Sequence, residues 1–425
     1  MPRASAHFGS IALALAASIA LGGSPRRARA DTASDALPSP LKPDDVLNYA
    51  RSHRAEIKAA QAKASAKSQV SKVVSALPDP MVMVGVDHLP FKLMGINASI
   101  QIQQDFPFSG VLGKRAGAAE ADARAFAADA LTVKLDVEYQ ALASYLMLVE
   151  LQRVSTILDE LIPISKQVVV VTEARLGAAA SAAADVVRAQ LDVARLEGER
   201  ETLDAELKGA GAMLQASLGQ SVDGKVPVCE LTVPIDEPPS VPTLLAKAME
   251  KRPELSAMRE REGKADLEID VMRAMYKPMG FVRVGTAYTM TGGYGAMFMV
   301  GVTVPIWREK LDAGVAEAQS MATMAIEDTA AMRKMIEGEV GVAREQVTAA
   351  RIRLATAREK LLPLAKSALT LTLACYGSGT TPLVAVLDAV SSYREVRMEE
   401  AVADIRIAAA WAHLGRTVGV VKVGF

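Results

Sequence analysis

The side chains of this chain that are capable of metal or nucleophilic chemistry are few and widely separated. Two cysteines, Cys229 and Cys375, stand far apart, and the four histidines lack the spacing of metal ligands: His7, His53, His88 and His413. Neither an HExxH metalloprotease motif nor a GxSxG nucleophile motif occurs. The "GSGTT" stretch at Gly377 lacks the following lysine of a phosphate-binding loop. The sequence therefore predicts no enzyme, no catalytic residues, no cofactor and no metal site.

Methionine is the other residue type whose side chain could bind a ligand. The chain has 19 methionines, and Met81, Met83, Met297 and Met299 lie in stretches with a β-strand pattern. Thioethers are good ligands for soft metals such as Cu(I). Methionine is also a common filler of apolar space. The sequence alone favours this plainer interpretation.

The composition disfavours nucleic-acid binding and indicates long helices. The 48 basic and 49 acidic residues give a formal net charge of -1, so there is no electrostatic case for a nucleic-acid partner. Aromatic residues make up only 4% of the chain, which is low for a large globular core. Alanine-rich runs with Glu, Arg and Leu are typical of extended helices and coiled coils.

The first 30 residues have the pattern of a secretory signal peptide. Arg3 precedes an apolar run over residues 11–23, and "ARA" at 28–30 offers the small residues that signal peptidase reads. We predict cleavage after Ala30. The apolar run is too short to span a membrane comfortably, and no later run reaches about 18 apolar residues. The mature chain is therefore expected to have no transmembrane helix.

The chain contains two copies of one domain. "LIPISKQVVVVTEARLG", which begins at Leu161, matches "LLPLAKSALTLTLACYG", which begins at Leu361, at a constant offset of 200 residues. An earlier match, "RAEI" at Arg54 with "RPEL" at Arg252, has an offset of 198, so the second copy carries a two-residue insertion. A period this long indicates a duplicated domain rather than a short solenoid repeat.

The predicted organisation follows from this duplication. It consists of a first repeat over residues 31–221, a proline-rich connector over 222–242, a second repeat over 243–415 and a C-terminal tail over 416–425. We interpret the tail as an extension rather than a fifth strand. The cysteines can be free thiols or one disulfide, and their non-equivalent places in the repeat favour free thiols.

Each repeat is predicted to contain a helix, a β-hairpin and a long helical hairpin. The first helix runs from residue 42 to about 77, where "LPDP" stops it. Strands are predicted at about 80–89 and 97–107, and again at about 280–290 and 296–306. The long helices cover 113–175, 182–218, 312–375 and 383–414.

Two equivalent prolines, Pro163 and Pro363, lie well inside these long helical runs. Each is expected to remove an intrahelical hydrogen bond and to kink its helix. Each proline either makes an incidental kink, or marks the end of one helix and the start of the next, or is required for both halves to bend alike near their tips.

The strands have the length and the alternation of strands that cross an outer membrane. One chain supplies only four of them, and an open sheet edge in lipid would leave backbone groups without partners. Three copies would give twelve strands, an even number that is consistent with a closed barrel. The sequence therefore predicts an assembly of several chains, with the long helices forming a tube below the barrel.

In its order of elements and its motifs, the sequence resembles the TolC-type outer membrane factors over residues 42–415. The motifs are "RPEL" at Arg252, "VPIW" at Val304, "RLGAAASAAADVVRAQ" at Arg175 and "YGSGTTPLVAVLDA" at Tyr376. The resemblance implies a mainly α fold with a small β part, in which a homotrimer forms a 12-stranded outer-membrane β-barrel continuous with a periplasmic α-helical barrel. It implies a passive exit duct whose partners are a periplasmic adaptor protein, an inner-membrane pump of the resistance-nodulation-division type and outer-membrane lipid.

The resemblance also implies that the helix tips close the tunnel at rest and contact the adaptor. By motif, the tip positions are Arg175, Leu176, Gly177, Asp185, Tyr376, Gly377, Gly379 and Asp388. Candidates for the hydrogen bonds or charge pairs that hold the tips shut are Arg175, Asp185, Arg188 and Asp388, and a solvated helix surface is the alternative explanation. Since Ala179 stands where the second repeat has Gly379, the first turn is expected to have a different shape.

The transported substrate stays open at this point. "QDFPFSGVLGKRAGAAEADARA", which begins at Gln104, resembles the branch of the family that serves heavy-metal efflux pumps. Metal ions, drugs or other small molecules, and proteins leaving through a type I secretion system are the alternatives within transport. Outside transport, the alternatives are a periplasmic coiled-coil scaffold or the periplasmic adaptor itself.

Overall fold

The computed structural model describes residues 37–87, 97–233, 236–289 and 292–422. The predicted signal peptide, His7 and His88 lie outside the described residues, as do the last three residues of the predicted tail. Within these ranges the chain is mostly helical and has one four-stranded sheet, as the sequence predicted. The elements are, in chain order, α1 (Pro43–His53), α2 (Ala55–Ser75), β1 (Met81–Asp87), β2 (Asn97–Pro107), α3 (Val111–Gly177), α4 (Ala183–Leu218), α5 (Val241–Lys251), α6 (Pro253–Ala274), β3 (Met279–Thr289), β4 (Gly293–Thr303), α7 (Arg308–Thr356), a π-helical turn (Ala357–Leu361), α8 (Leu362–Gly377) and α9 (Leu383–Val418).

Helix α3 is the centre of the helical packing. Its 67 residues, at about 1.5 Å per residue, span roughly 100 Å. It packs against α2, α6, α4 and α9, and α7 packs in turn against α6 and α9. Along α3, Ala118, Ala121 and Ala125 recur at helical spacing and are buried, so small side chains let the neighbouring helices approach closely. The largest buried side chain, Trp411 of α9, lies in a cluster with Val340 of α7 and Leu244 of α5.

The single helix predicted over residues 42–77 was wrong, because the structure has two helices there, α1 and α2. The break is at Arg54, whose ψ of 125° is extended. In this position Arg54 Nη1 donates hydrogen bonds to the carbonyl oxygens of Ala216 (3.0 Å) and Ser217 (2.6 Å), near the end of α4. The last carbonyls of a helix have no partner within the helix, so this distant arginine satisfies them.

The second repeat has the same break, between α5 and α6. Arg252 is extended there, with a ψ of 117°. The following residue, Pro253, disfavours helical backbone at the residue before it. The two breaks are 198 residues apart, which is the offset of the duplication in this region.

The sheet has the strand order β1-β2-β3-β4, and every pair is antiparallel. The central pair, β2 with β3, joins the hairpin of the first repeat to that of the second. β4 begins at Gly293 and ends at Thr303, about three residues before the predicted 296–306. The alternating pattern continues through Val304 and Ile306, but Pro305 between them has no N–H to donate to a ladder.

The C-terminal segment follows α9, which extends to Val418. Gly419 then has a φ of 91°, and the Val420 N–H donates to the Gly415 carbonyl, so the helix ends in a left-handed cap. Residues 420–422, the described part of the tail beyond this cap, form no strand.

Among the described residues, no helix combines the length and the apolar character needed to cross a membrane. The same residues contain no group of three or more His, Cys, Asp or Glu side chains that could hold a metal ion. Cys229 and Cys375 are free thiols. Burial raises the pKa of the Cys229 thiol to about 12.

Candidate functional site

One face of the sheet is apolar and exposed, and we call it the apolar face. Registered pairing places Val82, Ile102, Val284 and Phe298 in one row across all four strands. These four side chains are 63%, 52%, 53% and 71% exposed. Neighbouring exposed members of the face are Val84, Val86, Ile100, Val300 and Val302. An uncovered apolar patch of this kind marks a surface for a membrane or a partner.

Aromatic side chains lie at both ends of this face. At the β3–β4 turn, the rings of Tyr288 and Tyr294 have centroids 5.1 Å apart. Beyond the opposite strand ends, Phe108 and Trp307 are exposed. The aromatic ring of Phe108 packs over Gly280, where a Cβ atom would clash. Aromatic girdles at the two ends of an apolar band are typical of strands that span a membrane.

The opposite face, which we call the polar face, carries a hydrogen-bonded network on its two central strands. Arg283 Nε donates to Gln103 Oε1 (3.0 Å), and Gln103 Nε2 donates to Asp105 Oδ1 (2.9 Å). Two residues before Gln103 on β2, Gln101 Nε2 donates to Ser99 Oγ (3.2 Å). The sheet therefore separates a solvated side from an apolar side, as the sequence alternation of β2 predicted.

Both outer edges of the sheet lack a partner strand. β1 pairs only with β2, and β4 pairs only with β3, within the part of the chain that the structure describes. An exposed edge presents a row of free N–H and C=O groups to any strand that can pair with it.

The second candidate region is the pair of helix tips, where α3 turns into α4 and α8 turns into α9. The turn after α3 is closed by the Ala178, Ala179 and Ala180 N–H groups, which donate to the carbonyls of residues 174, 176 and 175. The turn after α8 repeats the three bonds at an offset of 200. Ala179 has a φ of 55° and Gly379 a φ of 83°. The expectation of a differently shaped first turn was therefore wrong, since alanine accepts the left-handed conformation here.

Arg175 connects the two tips to each other. Its guanidinium lies over the Tyr376 ring, with the Cζ atom 4.3 Å from the ring centroid, and Nη1 donates to the Tyr376 carbonyl. Nη2 donates to the Ala180 carbonyl at 3.0 Å. The Tyr376 hydroxyl donates to Thr172 Oγ1 at 3.1 Å. Tip residues of the two repeats thus form one contact, which we call the tip contact.

The other predicted tip residues do not join this contact in the chain. Asp185 accepts a hydrogen bond from Ser181 Oγ (3.2 Å) and lies 3.8 Å from Arg188, one helical turn away on α4. Asp388, Leu176 and the two helix-end glycines are exposed on their helices. The four charged residues predicted to act together are therefore spread over the tip surface rather than gathered in one cluster.

The structure accommodates the two equivalent prolines differently. Pro163 lies within the uninterrupted α3, whereas Pro363 is the second residue of α8, which begins after the π-helical turn. A π-turn holds one residue more than an α-turn. It lies in the interval where the repeat offset changes from 198 to 200, so we attribute one of the two inserted residues to it.

The sequence reasoning did not assign a role to Thr172, although Thr172 and Thr372 match at the offset of 200. Thr172 is buried and its hydroxyl donates to the Val168 carbonyl at 2.7 Å, which leaves its oxygen free to accept from Tyr376. A threonine retained in both copies of a long helix was the available signal. Its partner was not readable, because it lies 204 residues away.

Comparison with protein-family models and with curated proteins finds no match. Solved structures do match. The outer-membrane channel OprN is 16% identical, with 89% of this chain and 89% of that chain covered and a TM-score of 0.75. CusC, described for transmembrane channel formation, is 16% identical over 89% of this chain and 92% of that chain, with a TM-score of 0.77. The open state of the outer membrane channel MtrE of Neisseria gonorrhoeae is 15% identical over 89% of both chains, with a TM-score of 0.73.

At these identities the likeness concerns the fold. The chain has the fold of outer-membrane channels, and the mainly α fold with a small β part that its resemblance to the TolC-type outer membrane factors implies is confirmed.

Proposed function

We propose that the protein is the outer-membrane channel of a tripartite efflux system, a passive exit duct for small molecules or metal ions. The observation that carries this proposal is the apolar face, with aromatic residues at its ends and an unpaired edge on each side. In water, such a face and such edges would be unfavourable. In a closed barrel within the outer membrane, lipid covers the face and neighbouring chains pair with the edges.

A homotrimer is the assembly that we propose. Four strands per chain give twelve in three copies, and the alternating directions of β1 to β4 let β4 of one copy pair antiparallel with β1 of the next. The long helical hairpins would then form an α-helical barrel through the periplasm. The duct has no catalytic role in this proposal, and its energy comes from an inner-membrane pump of the resistance-nodulation-division type.

We assign the tips of the helical hairpins to the resting gate and to the contact with the periplasmic adaptor. The tip contact between Arg175 and Tyr376 supports this assignment, because it couples the two repeats at the end of the helices. Asp185, Arg188 and Asp388 lie on the surface nearby, where neighbouring copies or an adaptor can reach them. The prolines, Pro163 and Pro363, are proposed to set the bend of the helices toward the tips.

The first experiment is the mass of the detergent-extracted protein by light scattering with detergent correction. A trimer that requires detergent for extraction supports the duct. A monomer released by salt or alkali alone would instead support a periplasmic scaffold protein.

Matched lysine variants test which side of the sheet meets lipid. A lysine near the middle of the lipid-facing side costs about 2–4 kcal/mol, whereas one facing the lumen is tolerated. Val84→Lys on the apolar face should therefore reduce the trimer recovered from the outer membrane severalfold. Gln101→Lys, on the adjacent strand and the polar face, should not. Equal losses in both variants would contradict the proposed orientation.

Conductance of the reconstituted trimer tests the gate. Asp185→Ala, Asp388→Ala and Arg175→Ala should each raise the conductance if these residues hold the tips shut. Asp159→Ala is the matched control, since Asp159 pairs with Arg200 along the helical hairpin, 16 residues before Arg175. An unchanged conductance in Asp185→Ala and Asp388→Ala would remove those two residues from the gate.

A further inference from the structure

Four of the five methionines in the described strands, all except Met279 at the start of β3, occupy two adjacent rows on one face of the sheet. Pairing places Met81, Gln103, Arg283 and Met299 in one row across the four strands. The adjacent row on the same face contains Met83, Gln101, Gly285 and Met297. Both rows belong to the polar face, and in both rows the methionines stand on the two edge strands.

Packing does not account for the positions of Met81 and Met299, whereas Met83 and Met297 are half-buried. The other apolar side chains of β1 and β4 alternate onto the apolar face, so the methionines are apolar residues on the solvated side. Met81 and Met299 are 56% and 42% exposed. A side chain used as filler is expected in a gap of the core, which neither position offers.

The chemistry of the paired thioethers is specific. Residues i and i+2 of a strand lie on the same side, roughly 7 Å apart. Methionine has a flexible side chain, so two sulfur atoms at this spacing can converge on one ion. Uncharged, soft sulfur ligands select Cu(I) or Ag(I) over hard cations, which prefer oxygen.

We propose that the polar face carries a binding site for soft monovalent metal ions, Cu(I) or Ag(I), at each seam between copies in the trimer. This inference rests on the proposed duct, because β4 of one copy must adjoin β1 of the next. The Met81–Met83 pair of one chain and the Met297–Met299 pair of its neighbour then line the same seam. The sites would face the lumen, on the path of the exported ion. We therefore infer that soft metal ions are the substrate class of the duct.

In the row of Met81 and Met299, the positive charge of Arg283 repels cations. It lies directly across from Met299, and its guanidinium is held on the central strands by Gln103. In the adjacent row the residue across from Met297 is Gly285, which carries no charge. The row of Met83 and Met297 should therefore bind the metal ion more tightly than the row of Met81 and Met299. A neutral residue in place of Arg283 should raise the affinity of the whole site.

The test is a calorimetric titration of the purified trimer with Ag(I) in chloride-free buffer. Both cysteines are first replaced by alanine, since thiols would bind silver more tightly than thioethers. Three Ag(I) ions or more per trimer are expected to bind. The paired variants Met81→Leu/Met83→Leu and Met297→Leu/Met299→Leu should each weaken the affinity at least tenfold, while Arg283→Gln should increase it.

The matched control is Met147→Leu/Met213→Leu, which removes two exposed methionines from the long helices. An equal loss of silver in this control would overturn the site, because the binding would then be unspecific. Unchanged affinity in both strand variants would overturn it as well. Light scattering on the same samples separates the two proposals. A trimer that does not bind silver would contradict the metal site alone. A monomer would contradict both the duct and the metal site at its seams.

Discussion

The two repeats break their first helix at the same place but use the arginine at the break differently. Arg54 donates to carbonyl oxygens at the end of α4 and to Glu56. Its counterpart Arg252 is more deeply buried and forms ion pairs with Glu339 of α7 (2.5 Å) and Glu254 of α6 (3.5 Å). The backbone of the two repeats is the same here, and the partners of the arginine are not.

The residue that faces the break explains the difference. The first repeat has Ala216 at a position where the second has Arg416. Arg416 Nη2 lies 2.6 Å from Glu254 and 2.7 Å from Asp136, which belongs to α3 of the first repeat. The second repeat thus has an ion network, which also ties the two repeats together, where the first repeat has a helix-end contact.

Removing the centre of this network should have the largest effect. Arg416→Ala leaves the largely buried carboxylate of Glu254 and the half-exposed carboxylate of Asp136 without their shared partner; the loss at Glu254 dominates, and we expect a cost of roughly 3 kcal/mol. Chemical unfolding in detergent, followed by circular dichroism, measures the loss. The control is Arg200→Ala, which breaks surface pairs with Asp159 and Asp204 and should cost less than about 1 kcal/mol. Equal losses in the two variants would mean that the network contributes no more to the free energy of unfolding than a surface ion pair does.

The same network predicts a pH dependence. Burial acts to raise the pKa of Glu254, but its backbone hydrogen bond and the guanidiniums of Arg416 and Arg252 outweigh it, so the pKa lies below its ordinary value of 4.5. A carboxylate of this kind stabilises the fold above the pKa of the unfolded state, and the stabilisation is lost as pH falls from about 4.5 through the folded value.

Glu254→Gln should therefore lose roughly 2 kcal/mol at neutral pH and show a flatter decline of stability below pH 4.5. Unfolding curves collected from pH 7 to pH 3 give both quantities. Glu56→Gln is the equivalent change in the first repeat, and its exposed carboxylate should cost less. A parallel acid decline in wild type and Glu254→Gln would contradict the role of this carboxylate.

Sequence patterns predicted the parts of the fold that depend on interactions between residues close together in the sequence. The repeat offset, the long helices and the alternation of β2 were readable because each depends on spacing within one stretch. The break at Arg54 was not readable, because its cause is a pair of carbonyls about 160 residues away on α4. The contact of Arg175 with Tyr376 was hidden for the same reason.

The two tip turns allow a paired test with smaller expected effects. Ala179 and Gly379 share the left-handed conformation, which costs a residue with a Cβ atom roughly 1 kcal/mol. Ala179→Gly should therefore stabilise the protein and Gly379→Ala should destabilise it, each by about 1 kcal/mol. A Cβ at residue 379 would come no closer than 3.9 Å to Arg175, so the backbone alone sets this cost. Gly177→Ala, within the helix, is the control and should stabilise slightly; the same sign for both turn variants would refute the argument.

The smallest effect is expected at a pair of equivalent tip residues, Leu176 and Tyr376, which are 200 residues apart. Leu176 is 39% exposed, whereas Tyr376 is 2% exposed and bonds Thr172 through its hydroxyl. Tyr376→Phe keeps the ring beneath Arg175 and removes only that bond, so the loss should be about 0.5–1 kcal/mol. A double-mutant cycle with Thr172→Val should return the same value as a coupling energy. No coupling would show that the ring of Tyr376, rather than its hydroxyl, makes the second tip different from the first.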